Sequence, residues 1–285
     1  MMTRPLTLIP GALALALMLP AAAQQTSVPA SAPALPVWEA GLVGGAVSGP
    51  AYPGADVRSS RVLALPFLVY RGKVLRSDAS GIGARLLRSE RYEVDVGVAA
   101  SLPARSDAGA ARAGMPDLGF LGEFGPRVKI LLANPTPASR LRLDLPLRAV
   151  MELRGGVRRR GATFEPRLTY ATRDMGSAWS YDASVGLVVG DGAINRYFYA
   201  VAPQYASAAR PAYQARPGLM LVRAGLSASY RVNDDVRLFG YLRGDSYAGA
   251  ANRDSPLMRK NHGASIGVGF AWTLGRSSML AADER

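Results

Sequence analysis

Between Trp38 and Leu274 the chain repeats one pattern: stretches of roughly 10 residues alternate apolar and polar side chains, then break at Gly, Pro, Asn or Asp. The last stretch sets Ile266, Val268, Phe270, Trp272 and Leu274 against Gly263, Ser265, Gly267, Gly269, Ala271 and Thr273. Leu141, Leu143, Leu145 and Leu147 alternate with Arg140, Arg142, Asp144 and Arg148, and Tyr92, Val94, Val96 and Val98 with Glu93, Asp95, Gly97 and Ala99. The same parity runs through Phe164, Leu168 and Tyr170 against Glu165, Arg167, Thr169 and Arg173, and through Trp179, Tyr181, Val185 and Leu187 against Ser180, Asp182 and Ser184. It returns where Met220, Val222, Ala224, Leu226 and Tyr230 oppose Arg223, Gly225, Ser227, Ser229 and Arg231. A period of two is that of a β-strand, which puts the charges together on the face opposite the leucines. Twelve such segments are predicted, over 37–48, 58–71, 73–88, 91–103, 116–133, 139–154, 161–174, 178–190, 194–205, 216–232, 236–248 and 262–274.

Alternation alone does not separate a soluble sandwich, apolar side inward, from a membrane barrel, apolar side outward. The N-terminus favours the barrel. Arg4 supplies a positive start, Leu6 to Leu19 an apolar core, and Ala21-Ala22-Ala23 a small-residue cleavage site, so residues 1–23 read as an export signal cut after Ala23. The apolar run is interrupted by Pro10-Gly11 and falls short of the roughly 20 residues that span a bilayer. Residues 24–36, rich in Ala, Pro and Ser, are expected to be a disordered periplasmic leader. Aromatic residues near strand ends (Trp38, Tyr70, Tyr92, Trp179, Tyr230 and Trp272) suit the membrane interfaces. The expected fold is therefore all-β: a transmembrane, antiparallel, up-and-down barrel of about 12 strands, with a range of about 10 to 14. It occupies 37–275 in the outer membrane, followed by a tail, 276–285. One feature sits awkwardly in this count, because strict up-down order puts the long link 104–115 at the end where turns are normally short. Splitting 73–88 around Ser77-Asp78 would repair that link but spoil others, which is why the range of strands stays open.

Composition removes several chemistries. Cysteine is absent, which excludes disulfides, thiolate metal sites and cysteine nucleophiles. The single histidine, His262, lies three residues before Ser265 on the opposite strand parity, a poor arrangement for a base and its serine nucleophile. Neither a metal site nor a cofactor is expected, since no carboxylate spacing suggests a cage and Gly81-Ile82-Gly83 and Gly267-Val268-Gly269 lie in strand patterns without a following helix. The net charge of +13 becomes +12 once Arg4 leaves with the signal. In an exported chain that surplus points to membrane lipid and lipopolysaccharide and not to nucleic acid. Arg140, Arg142, Arg148, Arg167, Arg173, Arg223 and Arg231 share the inner parity with Glu93, Asp95, Asp144, Glu165 and Asp182, seven positive charges against five negative. They read either as a paired network that stiffens the barrel or as the lining of an anion-preferring passage. Arg154, Arg158, Arg159 and Arg160 flank Gly155-Gly156 in a turn, a solvated loop or a phosphate-binding cluster.

The order of short motifs along this pattern resembles the family of the MltA-interacting protein and outer membrane protein V. The pieces are Pro50-Ala51-Tyr52-Pro53-Gly54-Ala55-Asp56, Leu65-Pro66-Phe67-Leu68-Val69-Tyr70, Pro116-Asp117-Leu118-Gly119 with Gly125-Pro126, Tyr197-Phe198-Tyr199-Ala200-Val201, Pro211-Ala212-Tyr213 with Gly218, and Asp254-Ser255-Pro256-Leu257. Ala200 stands where the family is expected to have glycine, and Arg276 to Arg285 extend past the last strand. Ser265, Gly267, Phe270 and Trp272 look like the terminal signal read by barrel-assembly machinery. The resemblance implies a scaffold without catalysis, with a murein transglycosylase and a murein synthase as partners. The alternatives are a narrow channel for small, anionic solutes and, third, a lipid hydrolase.

Overall fold

The computed structural model describes residues 36–71, 75–78, 81–101, 110–153, 155–172 and 177–281. Among them are thirteen strands and one α-helix. The strands are β1 (Trp38–Pro50), β2 (Arg58–Arg71), β3 (Leu75–Asp78), β4 (Gly81–Arg88), β5 (Tyr92–Ser101), β6 (Leu121–Ala133), β7 (Ser139–Leu153), β8 (Val157–Phe164), β9 (Arg167–Thr172), β10 (Trp179–Gly190), β11 (Gly218–Arg231), β12 (Val236–Ser246) and β13 (His262–Arg276). Every pairing is antiparallel, and β13 closes on β1 with Ala46 opposite Val268 and Leu42 opposite Trp272. β8 and β9 both pair with β7 and with β10, so they are two halves of one staggered strand. Pro166 explains the break: it has no N–H for the ladder, while its carbonyl still accepts from Leu187 N at 3.0 Å. The wall is thus twelve-stranded and its strand order closes on itself, the barrel topology that lets strands cross a bilayer, with the β2–β3 contact limited to Tyr70–Ser77 and Arg71–Arg76 among the described residues.

Two predicted segments are corrected. The segment 73–88 is a hairpin, β3 and β4. That extra reversal moves the link before β6 to the same end as the long connections 191–217 and 247–261, while the turns at the opposite end stay short. The segment 194–205 is not a strand but helix α1 (Gly192–Tyr199) followed by a 3-10 turn at Pro203–Tyr205. Asp191 caps α1, its Oδ1 accepting from Ala193 N and Ile194 N at 2.9 Å each, and two unpaired amide donors are thereby satisfied. The spacing of Ile194, Asn195 and Tyr199, all buried, is that of one helix face, and the alternation of Tyr197, Tyr199 and Val201 mimicked a strand over too short a window.

The wall is greasy outside. Leu42, Val62, Leu147, Leu187, Leu226, Leu242 and Val268 are exposed on the outward parity, as expected for side chains solvated by lipid. Trp38, Tyr70, Tyr92, Trp179 and Trp272 all lie toward the short-turn ends of their strands and are exposed, and Tyr230 packs on Trp179 with ring centroids 4.8 Å apart. They form one aromatic girdle, placing a membrane interface at that end. The tail also needs correction. Arg276 belongs to β13, and the chain then runs on beside the N-terminal end of β1, with Ser277 N donating to Trp38 O and Val37 N to Met279 O, both at 2.9 Å. The signal, its cleavage site and residues 24–35 of the leader lie outside the described residues.

Candidate functional site

Strand register converts the inner parity into an ordered band of charge. Glu93 of β5 faces Lys129 of β6, Lys129 faces Asp144 of β7, and Asp144 faces Arg167 of β9. Across Gly186 of β10 the row continues to Arg223 of β11 and Asp245 of β12. Sign alternates along most of it, the cross-strand arrangement that stabilises a sheet. Lys129 Nζ reaches Glu93 at 2.7 Å and Asp95 at 2.8 Å, while Arg127 forks onto Asp95 at 2.9 and 2.7 Å. Arg142 forks onto Asp144 at 2.7 and 3.1 Å, and Arg223 onto Asp245 at 2.7 and 2.9 Å. Arg148 lies between Glu165, at 3.3 Å, and Glu123, at 3.6 Å. Asp144, only 1% exposed, would be costly to bury without these partners.

The β5-to-β9 part of the band lines a cavity of about 920 Å3. Arg140, Arg142, Asp144, Arg148, Arg167 and Glu93 line it, with Asp182. Arg88 to Tyr92, from the short turn between β4 and β5, line it too, so it reaches the short-turn end of the barrel. Nine basic side chains line it against four acidic ones. Arg223 lies on the β11 side with Asp245, Arg231 closes β11 at the short-turn end, and Arg173 falls outside the described residues. Sequence reasoning missed Arg85, Glu123, Arg127, Lys129 and Asp245. The signal was available, since Glu123, Arg127 and Lys129 share one parity in β6, but their partners follow only from register.

Above the band, the long connections build an apolar cap inside the rim. Ile194 and Tyr199 of α1 pack with Val150 of β7, Val188 of β10, Leu221 of β11 and Tyr247, and a second cluster joins Tyr52, Met115, Leu118, Val201 and Leu257. Polar stitches fix its parts. Asn252 Nδ2 donates to Asn195 Oδ1 at 2.8 Å, Ser255 Oγ to the Tyr199 carbonyl at 2.7 Å, and Tyr52 OH to the Leu257 carbonyl at 2.9 Å. Buried Glu152 accepts from Gly119 N at 3.0 Å, Tyr197 OH at 3.1 Å and Arg160 Nε at 2.7 Å, latching the connection before β6 and α1 to the wall. Arg160 is thereby committed to the cap, whereas Arg158 and Arg159 are exposed and Arg154 lies outside the described residues. Gly161, at φ +135°, has a conformation side chains rarely adopt, and a Cβ there would strike the Asp191 cap. Burial pushes the Tyr52 and Tyr197 phenols up to about 12 and those of Tyr199 and Tyr247 upward too. Arg112, buried and donating to the Phe198 and Pro116 carbonyls at 3.2 and 3.1 Å, is pulled below the usual guanidinium range by desolvation.

The remaining candidates separate by face. Ser265 is buried on the inner face and Gly267 packs against the Tyr241 ring, while Phe270 and Trp272 are exposed on the lipid side. His262, exposed, begins β13 at the long-loop end on the outward parity, away from Ser265. Among the described residues no group of three His, Asp or Glu could hold a metal.

Several barrels of known structure are similar to this chain at low identity. The NanC porin is 11% identical over 82% of this chain and 99% of its own, with a TM-score of 0.41. Outer membrane phospholipase A from Escherichia coli is 11% identical over 81% and 92%, at 0.32, and the CymD monoaromatic hydrocarbon channel 10% identical over 85% and 90%, at 0.33. No curated relative matches. Residues 42–274, nearly the whole wall and all of the cap, match the family described as MltA-interacting protein MipA. The chain is an outer-membrane β-barrel and belongs to that family.

Proposed function

We propose that this barrel is a non-enzymatic scaffold that docks a murein-processing partner from the periplasmic side. The observation that carries the reading is the cap: apolar side chains from α1 and the long connections pack in two clusters at one end, while the charged cavity reaches the short-turn end. Short turns are the periplasmic side of such barrels. The family description supplies the partner, a murein transglycosylase. Absence of catalysis is supported by the opposite faces of His262 and Ser265, since a serine needs its base within hydrogen-bond reach.

A second reading, passage of small anions, is favoured by the excess of basic over acidic side chains around the cavity. Detergent-solubilised full-length barrel should retain purified transglycosylase on an affinity column and give no steady single-channel current in planar bilayers. Steady anion-selective conductance together with no retention would reverse the order of the two readings.

A further inference from the structure

A second site lies on the outer wall. Between β13, β1 and β2 runs a groove of about 390 Å3 lined by outward-facing Ala46, Ser48, Ser60, Val62, Ile266 and Val268. At its head, toward the long-loop end, stands Arg58. Its guanidinium bridges three strands, donating to the Ala264 carbonyl at 3.0 Å and to Ser48 Oγ at 3.2 Å, and Ser60 Oγ donates to Ser48 Oγ at 2.9 Å. Arg58 remains exposed, and so do Lys260 and His262 just before and at the start of β13. Arg259 beside them is 3.9 Å from Asp56.

We infer that this groove binds one acyl chain of lipopolysaccharide, with a lipid phosphate held at Arg58. An arginine fixed by two bonds keeps further N–H groups for an anion and suits phosphate geometry. The apolar floor beneath it continues the lipid-facing wall, so the polar-to-apolar order along the groove is that of a phosphorylated, acylated lipid standing in the outer leaflet. Volume argues against a protein segment, because two turns of α-helix about 10 Å across fill about 800 Å3. A second copy of the chain, meeting its own rim across a two-fold axis, would bring Arg58 and Lys260 against like charges.

The test is native mass spectrometry of the full-length protein in detergent, with bis-phosphorylated lipid A, dephosphorylated lipid A or phosphatidylethanolamine added. Wild type should prefer bis-phosphorylated lipid A over the other two. Arg58→Gln should cut that preference on the order of tenfold, the loss of about one charge-assisted contact, without changing the weaker binding of the dephosphorylated form. Ser60→Leu, which fills the groove on the lipid side, should weaken both forms, and an unchanged heat-shift on gels reports that each variant is folded. Equal binding of all three lipids, binding untouched by either variant, or a dimer lost in Ser60→Leu would each overturn the inference.

Discussion

Replacing Leu147 with arginine is the sharpest probe of which face meets lipid. Leu147 is 50% exposed, opposes Phe164 of β8, and stands between the inward pair Pro146 and Arg148. On the same parity Leu141 opposes Tyr170, close to the aromatic girdle. The two leucines are six positions apart, and at about 3.3 Å per residue with a tilt near 40° Leu147 lies about 15 Å above Leu141. In an apolar band about 25 Å tall that is close to the midplane, where an arginine costs about 2 to 4 kcal/mol, against about 0 to 1 near an interface. Leu147→Arg should therefore lower the folding constant beyond Leu141→Arg by about fivefold at least and up to several hundredfold, for a difference of about 1 to 4 kcal/mol. Urea titration in thin-bilayer vesicles measures it, read by the three tryptophans, all of them on the outward girdle. Equal costs at the two positions would mean that this face does not cross a bilayer, and the barrel reading of the leucines would fail.

Glu152→Gln removes the charge that three donors share, so the connection before β6 should open to trypsin at Arg112 while the heat-shift of the wall stays unchanged; no gain in cleavage would refute the latch. Tyr52 and Tyr197, raised from 10.0 to about 12, contribute cap stability that is complete below pH 10 and lost as pH rises through about 12. Tyrosinate absorbance at alkaline pH should show Tyr52→Phe and Tyr197→Phe each removing a step near pH 12, and removal of a step near pH 10 would contradict the burial.

The wall was legible in the sequence because strand parity is a local property. Leu141 to Leu147 against Arg140, Arg142, Asp144 and Arg148 states the two faces of β7 without any partner strand. The pairing of charges was not legible, since Arg223 meets Asp245 only through the β11–β12 register, twenty-two positions on. The cap was less legible still. Asn195 and Asn252 meet across fifty-seven positions, and no period announces a contact between a short helix and a distant loop. The α1 error has the same origin: over eight residues an amphipathic helix and a strand share too many apolar positions, and the capping Asp191 was the better guide.

The direction of the ion pairs separates two ways a barrel interior can be filled. Arg127 with Asp95, Lys129 with Glu93 and Arg223 with Asp245 join residues directly opposed on neighbouring strands, and Arg142 with Asp144 lies within one strand. Such pairs run along the wall and tie β5 to β6 and β11 to β12. They stiffen the cylinder and hold its register, because a one-residue slip would turn every charge toward lipid. They do not bridge the lumen, which is why a cavity of about 920 Å3 survives among so many charged side chains. Apolar packing belongs instead to the cap, whose residues come from connections and not from the alternating strands alone. Wall and cap are thus separate constructions, one electrostatic and set by register, the other apolar and set by loops. On the scaffold reading proposed above, a partner reaching the cavity from the short-turn end would meet the first without disturbing the second.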